Sequence, residues 1–341
     1  MTSKNSALLV IGPSWIGDMV MAQSLFKLIK QHQPDIAIDV LAPAWSEPLL
    51  TRMPEVRCAL AMPIGHGELR LRERYHMGHS LRGKYDQAII LPNSFKSALV
   101  PLWAQIPVRT GYIGECRWGV LNDARRLDKS ILPMTVQRFL SLGLPRDAVL
   151  PPEIPAPHLA VSHASVEAAL VRLKLNYPLK PVFALCPGAE FGPAKRWPAE
   201  YFAEIAKAKL ADGWDVWLFG SEKDGPITAQ VRALAGADCI DLAGRTSLAE
   251  AIDLLSLAAL VVSNDSGLMH VAAALGRKII AIYGSSDPGF TPPLSDDAQI
   301  LSLKLACSPC FARVCPLGHT NCLRELKPQQ ILDKMPGTTS P

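Results

Sequence analysis

The chain has 341 residues, a length that predicts two domains of ordinary size. Hydrophobic residues make up 49% of it and charged residues 19%, a composition that excludes an intrinsically disordered chain. The 35 Lys and Arg residues against 31 Asp and Glu residues leave a net charge of +4, which is too small for a general nucleic-acid-binding protein.

The apolar runs are too short to cross a membrane, and the N-terminal sequence lacks the pattern of a signal peptide. The longest nearly continuous run covers residues 254–262, whereas a spanning helix needs roughly 20 residues. We therefore expect a cytoplasmic protein whose eight cysteines are thiols or ligands rather than a disulfide framework.

Short apolar runs alternate with helical patterns along the chain, as is typical of α/β proteins with parallel sheets. Pro198 suits the first position of one predicted helix, and Ser247 with Glu250 predicts a capping box ahead of another. The predicted helices cover residues 19–32, 45–52, 201–210 and 252–257. The predicted strands cover residues 7–12, 36–41, 87–91, 182–186, 216–219, 239–242, 260–263 and 278–283.

Residues 145–157 contain five prolines and follow neither a helical nor a strand pattern, which is typical of a connector between domains. We predict one open α/β domain over residues 1–157 and a second over residues 158–341. Ligands of such sheets bind at the carboxyl ends of the strands, so we expect the site in a cleft between the two domains.

The loop after the first predicted strand, residues 12–18, is neither a dinucleotide fingerprint nor a Walker loop. Its two glycines would permit a tight turn close to a ligand. Asp18 lies where the next helix should begin. It is therefore either a helix cap or dipole partner, or a carboxylate that accepts the proton of an attacking hydroxyl.

Two later loops have the pattern of anion sites. Residues 187–198 combine glycines with Lys195 and Arg196 ahead of a predicted helix, although the pair could instead be solvated. Residues 263–267 form a polar turn between a buried strand and a helix of small residues, whose first N–H groups would face an anion. Ser266 and His270 share a face of that helix, where a histidine is otherwise a structural hydrogen-bonding residue.

Taken together, these motifs resemble the bacterial lipopolysaccharide heptosyltransferases of glycosyltransferase family 9. The resemblance runs in consistent order and spacing from the first strand to about residue 295, and the set is far more specific than any single stretch. The matching stretches are residues 12–25, 91–101, 109–112, 119–123, 186–198, 263–270 and 290–294.

The resemblance implies the GT-B fold, in which an acceptor-binding and a donor-binding Rossmann-like domain face a central cleft. It implies an inverting, metal-independent transfer of L-glycero-D-manno-heptose from ADP-heptose to the first heptose of the lipopolysaccharide inner core, attached to Kdo-lipid A. Asp18 would be the general base, and Lys195 would neutralise the leaving diphosphate. The donor-binding residues would be Gly188, Lys195, Asp265, Ser266, Gly267 and His270, with Glu222 or Asp224 on the adenosine ribose.

The densest cationic stretch lies between Arg70 and Lys84. It is either a solvated helical face or a surface for the anionic acceptor at the cytoplasmic face of the inner membrane. The acceptor-binding residues would be Gly17, Arg70, Arg74, Asn93, Lys96 and Arg109. We expect no nucleic-acid partner, and the oligomeric state stays open.

Four cysteines crowd into one short segment as Cys307, Cys310, Cys315 and Cys322. Two close pairs of soft ligands suggest a structural Zn²⁺ site, whereas thiol-lined packing or a disulfide pair are the alternatives. The sequence assigns the cluster no part in catalysis, and we expect no catalytic cofactor.

Three other functions stay open at this point. They are transfer of the first heptose to Kdo, a nucleotide-sugar epimerase on the same two-domain fold, and a nucleotide-binding module without catalysis. The stretches at residues 92–96 and 188–195 favour addition of the second heptose. Asp18, present together with the donor-site residues, argues against a module that only binds.

Overall fold

The computed structural model describes residues 6–65 and 67–335. The chain divides into two compact units, Met1–His158 (unit 1) and Leu159–Pro341 (unit 2), and each unit is built on one six-stranded parallel sheet. The predicted α/β class with parallel sheets is therefore confirmed. Every helix in the described residues is too short or too polar to traverse a bilayer.

The sheet of unit 1 has the strand order β3-β2-β1-β4-β5-β6, so the direction of winding reverses between β1 and β4. The loops that follow these two strands flank the crevice where open parallel sheets bind their ligands. The strands are β1 (Ala7–Ile11), β2 (Ala37–Pro43), β3 (Val56–Met62), β4 (Gln87–Ile90), β5 (Val108–Tyr112) and β6 (Asp123–Arg125). The helices are α1 (Ile16–His32), α2 (Glu47–Leu50), α3 (Leu71–Ser80), α4 (Leu99–Trp103) and α5 (Thr135–Leu142).

Unit 2 repeats this plan with the order β12-β11-β10-β7-β8-β9, and its winding reverses between β7 and β10. The strands are β7 (Val182–Cys186), β8 (Asp215–Leu218), β9 (Ile240–Asp241), β10 (Ala258–Asn264), β11 (Lys278–Ile282) and β12 (Ala298–Leu301). The helices are α6 (His163–Leu173), α7 (Ala199–Ala211), α8 (Gly225–Ala235), α9 (Leu248–Leu255), α10 (Gly267–Ala274), α11 (Asn321–Arg324) and α12 (Pro328–Leu332).

The core of unit 2 is closed by residues that lie far apart in the sequence. Trp197 is fully buried, and its indole N–H donates to the backbone oxygen of Leu326 at 2.8 Å. Leu323, Ile331 and Met335 are buried in the same cluster, together with the strands of the sheet. The segment that contains α11 and α12 is therefore part of the core and not an appendage.

The proline-rich segment ahead of the division contains neither a helix nor a strand in the described chain. The carboxamide of the buried Gln23, on α1, accepts from the His158 N–H at 2.8 Å and donates to its backbone oxygen at 2.6 Å. Lys27 Nζ donates to the backbone oxygen of Ala156 at 2.6 Å. These contacts hold the end of the segment on α1.

Several boundaries differ from the sequence-based predictions. Helix α1 begins at Ile16 and not at Asp18 or Met19, and Pro198 is the N-cap of α7 and not its first residue. Strands β3, β5, β6 and β12 were not predicted. The capping box ahead of α9 is confirmed, since the Ser247 hydroxyl accepts from the Glu250 N–H at 3.3 Å and the Glu250 carboxylate accepts from the Ser247 N–H.

Candidate functional site

In unit 2, a buried ion pair joins the loops on either side of the winding reversal. Strands β7 and β10 are neighbours, with Cys186 aligned to Ser263. Lys195 lies in the loop after β7 and Asp265 follows β10, and Lys195 Nζ lies 2.5 Å from Asp265 Oδ2. Their side chains are 16% and 5% exposed. Two of the residues that sequence reasoning assigned to donor binding are therefore in direct contact.

Two polar residues that the sequence analysis did not select complete this arrangement. The Ser286 hydroxyl, after β11, also donates to Asp265 Oδ2. Asn264 ties the loop after β7 to β10, because its carboxamide accepts from the Trp197 N–H at 3.0 Å and donates to the Pro187 backbone oxygen at 2.7 Å. Parallel strands were predicted without their order, and Asn264 was noted only as part of the polar turn after β10, whereas Ser286 was not marked at all.

The N-terminus of α10 lies directly after Asp265. Ser266 occupies the N-cap position, and its hydroxyl lies 3.2 Å from the Ser263 hydroxyl rather than capping the first turn. The first-turn N–H groups and the helix dipole provide a positive end that suits a phosphate group. Because Lys195 is also paired with Asp265, just ahead of this helix, the geometry suits an anionic ligand.

His270 lies one turn further along α10 and is 5% exposed. Burial lowers the pKa of His270 to about 4; the Asp265 carboxylate opposes this change and the Lys195 ammonium adds to it. The imidazole is therefore neutral near pH 7, where it can donate one hydrogen bond and accept another.

The two carboxylates proposed for the ribose have different surroundings. Asp224 is buried, and its Oδ2 accepts from the N–H and hydroxyl of Ser221 at 2.9 and 2.8 Å. Its Oδ1 lies 3.9 Å from the Arg196 guanidinium, and Gly188 packs against the same carboxylate. Glu222 is exposed. Asp224 thus stabilises the loop, whereas Glu222 is open to solvent.

In unit 1, Asp18 lies in the first turn of α1, and Trp15 is the N-cap. The alternative in which Asp18 caps the helix is therefore wrong, whereas an interaction with the helix dipole is consistent with this position. Gly17 precedes it in the same turn. Gly12 packs closely against α1 and β2, since a Cβ there would lie 2.8 Å from Cε of Met19 and 3.1 Å from Cβ of Ala42.

The loop after β4, which carries Asn93 and Lys96, is held by a buried arginine. Arg117 is 1% exposed, and its guanidinium donates to the backbone oxygen of Pro92 at 2.9 Å, to Asn93 Oδ1 and to the Tyr112 backbone oxygen. Because β1 and β4 are neighbours, this loop and the turn containing Asp18 follow adjacent strands. Sequence reasoning missed Arg117, which lies well outside the loop that it holds.

The cations predicted for acceptor binding fall into two groups. Arg74 is buried and donates to the backbone oxygens of Leu69, Glu68 and Lys96 at 2.6, 3.1 and 3.2 Å. Arg109 likewise donates to the backbone oxygens of two residues on neighbouring segments, both at 2.7 Å. Both guanidinium groups hold backbone in this structure, and the assignment of Arg74 and Arg109 to acceptor binding stays a prediction. Arg70 is exposed and pairs with Glu68 at 2.6 Å.

All eight cysteines are free thiols. One small cavity is lined by Cys307, Cys310, Cys315 and Cys322. Because all four are free, the structure does not contain the disulfide that was one alternative for this cluster. Across residues 6–65 and 67–335, no three His, Cys, Asp or Glu side chains already stand in the positions of metal ligands.

Comparison with known proteins places these features in a family. Residues 74–321 match the model of "Glycosyltransferase family 9 (heptosyltransferase)". The chain is 47% identical over 338 residues to lipopolysaccharide heptosyltransferase 2 of Escherichia coli K12, covering 96% of this chain and 97% of that protein; the Salmonella typhimurium LT2 protein of the same name is 46% identical with the same coverage. The structure of E. coli ADP-heptose LPS heptosyltransferase II matches with a TM-score of 0.84 and 45% identity, covering 96% of each chain. The predicted GT-B fold class is thereby confirmed.

Proposed function

The chain belongs to glycosyltransferase family 9, and we propose that it transfers L-glycero-D-manno-heptose from ADP-heptose to the first heptose of the lipopolysaccharide inner core. The relatives that it matches over nearly their full length carry the name of this activity. The observation that carries the proposal is the Lys195–Asp265 pair at the winding reversal of unit 2, where an ammonium group meets a helix N-terminus.

We assign the donor to unit 2. The leaving group is a nucleoside diphosphate, whose charge grows as the glycosidic bond breaks. Lys195 and the first-turn N–H groups of α10 are already in place and would stabilise this charge without reorganisation. The Asp265 carboxylate, which accepts from the Ser286 hydroxyl, orients Lys195. The neutral His270 supplies a hydrogen bond, and Glu222 holds the adenosine ribose.

We assign the acceptor to unit 1, with Asp18 as the general base. The acceptor hydroxyl becomes acidic as its bond to the anomeric carbon forms, so an ordinary carboxylate can take the proton late in the step. Attack from the face opposite the diphosphate gives inversion at that carbon. The charge on both sides of the reaction is handled by side chains and backbone, so the proposed transfer requires no metal ion.

The acceptor is an anionic glycolipid, and we propose that the exposed cations around α3 contact its Kdo and phosphate groups at the cytoplasmic face of the inner membrane. Arg72, Arg82 and Lys84 are exposed beside Arg70. Contacts of this kind weaken with ionic strength. The KM for the lipid acceptor should therefore rise between low and moderate salt while the KM for ADP-heptose changes less, and equal changes would contradict the assignment.

The test of the reaction is transfer from ADP-heptose to two defined acceptors, one carrying heptosyl-Kdo and the other Kdo alone, with products identified by mass spectrometry. We expect one added heptose on the first acceptor. Preference for the Kdo acceptor would instead mean the sister reaction. Conversion of ADP-heptose without any acceptor would mean an epimerase.

Two variants test the assigned residues. Asp18→Asn should retain ADP-heptose binding and lose transfer, and an active Asp18→Asn variant would remove the base assignment. Lys195→Met should lower kcat by about 10²–10³, the usual effect of deleting one group that stabilises developing charge. The matched control is Lys207→Met, which removes an exposed lysine of α7 in the same unit.

A further inference from the structure

The cysteine cluster of unit 2 surrounds a space of atomic size. Cys307, Cys310, Cys315 and Cys322 line a cavity with a volume of about 20 Å³, enough for one water-sized body. The imidazole of His319 borders it as well. Four cysteines around one small space are unusual in simple packing, because a hydrocarbon side chain would fill that space better.

The backbone that follows Cys315 turns around its sulfur. The sulfur of Cys315 accepts hydrogen bonds from the backbone N–H groups of residues 317–320. Gly318 has a φ of +72°, which allows the chain to wrap around the sulfur in this way. Several N–H donors on one sulfur orient it, as outer hydrogen bonds do for metal-bound cysteines.

We propose that these four cysteines bind one thiophilic divalent metal ion of the Zn²⁺ or Fe²⁺ class. Four thiolates match the softness and the tetrahedral preference of such an ion. Binding draws the four sulfurs together from their positions around the cavity, and each cysteine releases its proton as its sulfur coordinates the ion. Part of the binding free energy therefore orders the loop that carries the cysteines.

This loop is also the support of the loop that carries Lys195. The backbone oxygen of Arg313 accepts from the Ala194 N–H at 3.0 Å, and the Arg313 guanidinium lies 5.3 Å from the centre of the Phe191 ring. Lys195 Nζ lies 5.0 Å from the same ring. On the other side, the Phe311 N–H donates to the Ser285 backbone oxygen at 2.6 Å, next to Ser286. Phe311 and Arg313 lie between Cys310 and Cys315, so the ion fixes the segment against which Lys195 is held.

The cysteines are thus positioning residues for the donor site, and this part of the inference rests on the proposed function, whereas the metal site does not. The first measurement is the metal content of the whole chain, purified under reducing conditions without added metal, by inductively coupled plasma mass spectrometry. We expect one zinc or iron per chain. Cys322→Ser should lower the content to a small fraction, whereas Cys58→Ser, an exposed cysteine outside the cluster, should keep it.

A second measurement keeps the proposal testable if the Cys322→Ser variant fails to fold or if the ion is lost during purification. Chelator-treated protein is titrated with Co²⁺, and we expect saturation at one equivalent with the strong absorption of tetrahedral cobalt thiolate. The proposal would be overturned if the purified protein contained no metal and the chelator-treated protein bound no cobalt. Disulfides between these cysteines in active protein would also overturn it.

The positioning role has its own readout. Removing the ion should raise the KM for ADP-heptose by about 10-fold or more, with a smaller change in kcat, and added Zn²⁺ should restore it. An unchanged KM in metal-free protein would refute the positioning role. A metal-loaded protein that does not bind ADP-heptose at all would instead contradict the proposed function and leave the metal site in place.

Discussion

Gly188 lies so close to Asp224 that any side chain at its position would displace the Asp224 carboxylate. A Cβ added to Gly188 would fall 2.3 Å from Cγ of the Asp224 carboxylate, which is itself held by Ser221. Real Cβ atoms do not approach another carbon so closely. The loop after β7 and the turn after β8 can therefore pack at this distance only because residue 188 is a glycine.

Gly188→Ala should therefore lower the free energy of unfolding by about 1–3 kcal/mol, as overpacking of a tight contact does, and raise the KM for ADP-heptose. Thermal or urea unfolding and steady-state kinetics measure the two effects. Gly225→Ala is the control, because a Cβ at Gly225 meets nothing within 4 Å. Equal stability of the two variants would contradict the contact.

Glu222 and Asp224 should respond differently to loss of charge. Glu222→Gln should raise the KM for ADP-heptose several-fold and leave the unfolding free energy nearly unchanged, because its carboxylate is exposed. Asp224→Asn should lower stability, since a buried acceptor of two hydrogen bonds loses strength when it becomes neutral. The reverse pattern, with donor affinity sensitive only to Asp224, would exchange the two assignments.

His270 should make stability fall at acidic pH. Its pKa is about 4 in the folded chain against an ordinary value of 6.5, so the unfolded chain binds the proton more readily. The stabilisation is complete above pH 6.5 and is lost as the pH falls towards 4. This difference in pKa corresponds to roughly 3 kcal/mol at most.

Unfolding free energies of the wild type and His270→Gln, measured from pH 7 to pH 4, test this. The difference between the two should shrink as the pH falls, because glutamine has no proton to take up. His76→Gln, which replaces an exposed histidine, should follow the wild-type curve in parallel. A wild-type and His270→Gln pair that runs parallel would show that His270 is not held neutral.

Arg117 should control the acceptor through the loop after β4. Arg117→Met leaves the oxygens of Pro92 and Tyr112 without their donor, at a cost of about 2 kcal/mol, and releases Asn93. We expect a higher KM for the acceptor and an unchanged KM for ADP-heptose. Arg126→Met removes an exposed arginine of the same unit and should alter neither KM. An effect of Arg117→Met on the donor alone would refute this role.

Sequence patterns were sufficient for the buried strands. The apolar run of β7 predicts Val182–Cys186 with its observed bounds, because a fully buried strand needs an unbroken apolar sequence. The edge strands β3, β6 and β12 were missed because their sequences are mixed, whereas the edge strand β9 lies within the predicted residues 239–242. Strand β3 contains the exposed Arg57 and Cys58, and β6 is three residues long with charged ends, one of which, Asp123, is stabilised by Arg125 and Arg146.

The candidate site was predictable where residue type and loop position coincide. Lys195 and Asp265 each follow a predicted strand, and their contact follows from the adjacency of β7 and β10. Ser286 and Arg117 were not predictable, because their roles depend on contacts between segments that are distant in sequence. The burial of Arg74 was missed for the same reason. Its guanidinium donates to three backbone oxygens and not to an acidic residue of its own helix.

The core of unit 2 has a consequence for the order in which the chain folds during synthesis. Leu323, Leu326, Ile331 and Met335 are buried against side chains of β7 and α7, which the ribosome makes well over a hundred residues earlier. Unit 1 has a core of its own and can fold while unit 2 is still being translated. Unit 2 has to wait until Met335 has left the exit tunnel, with its apolar strands exposed in the meantime. Chaperone dependence should therefore arise in the second half of translation.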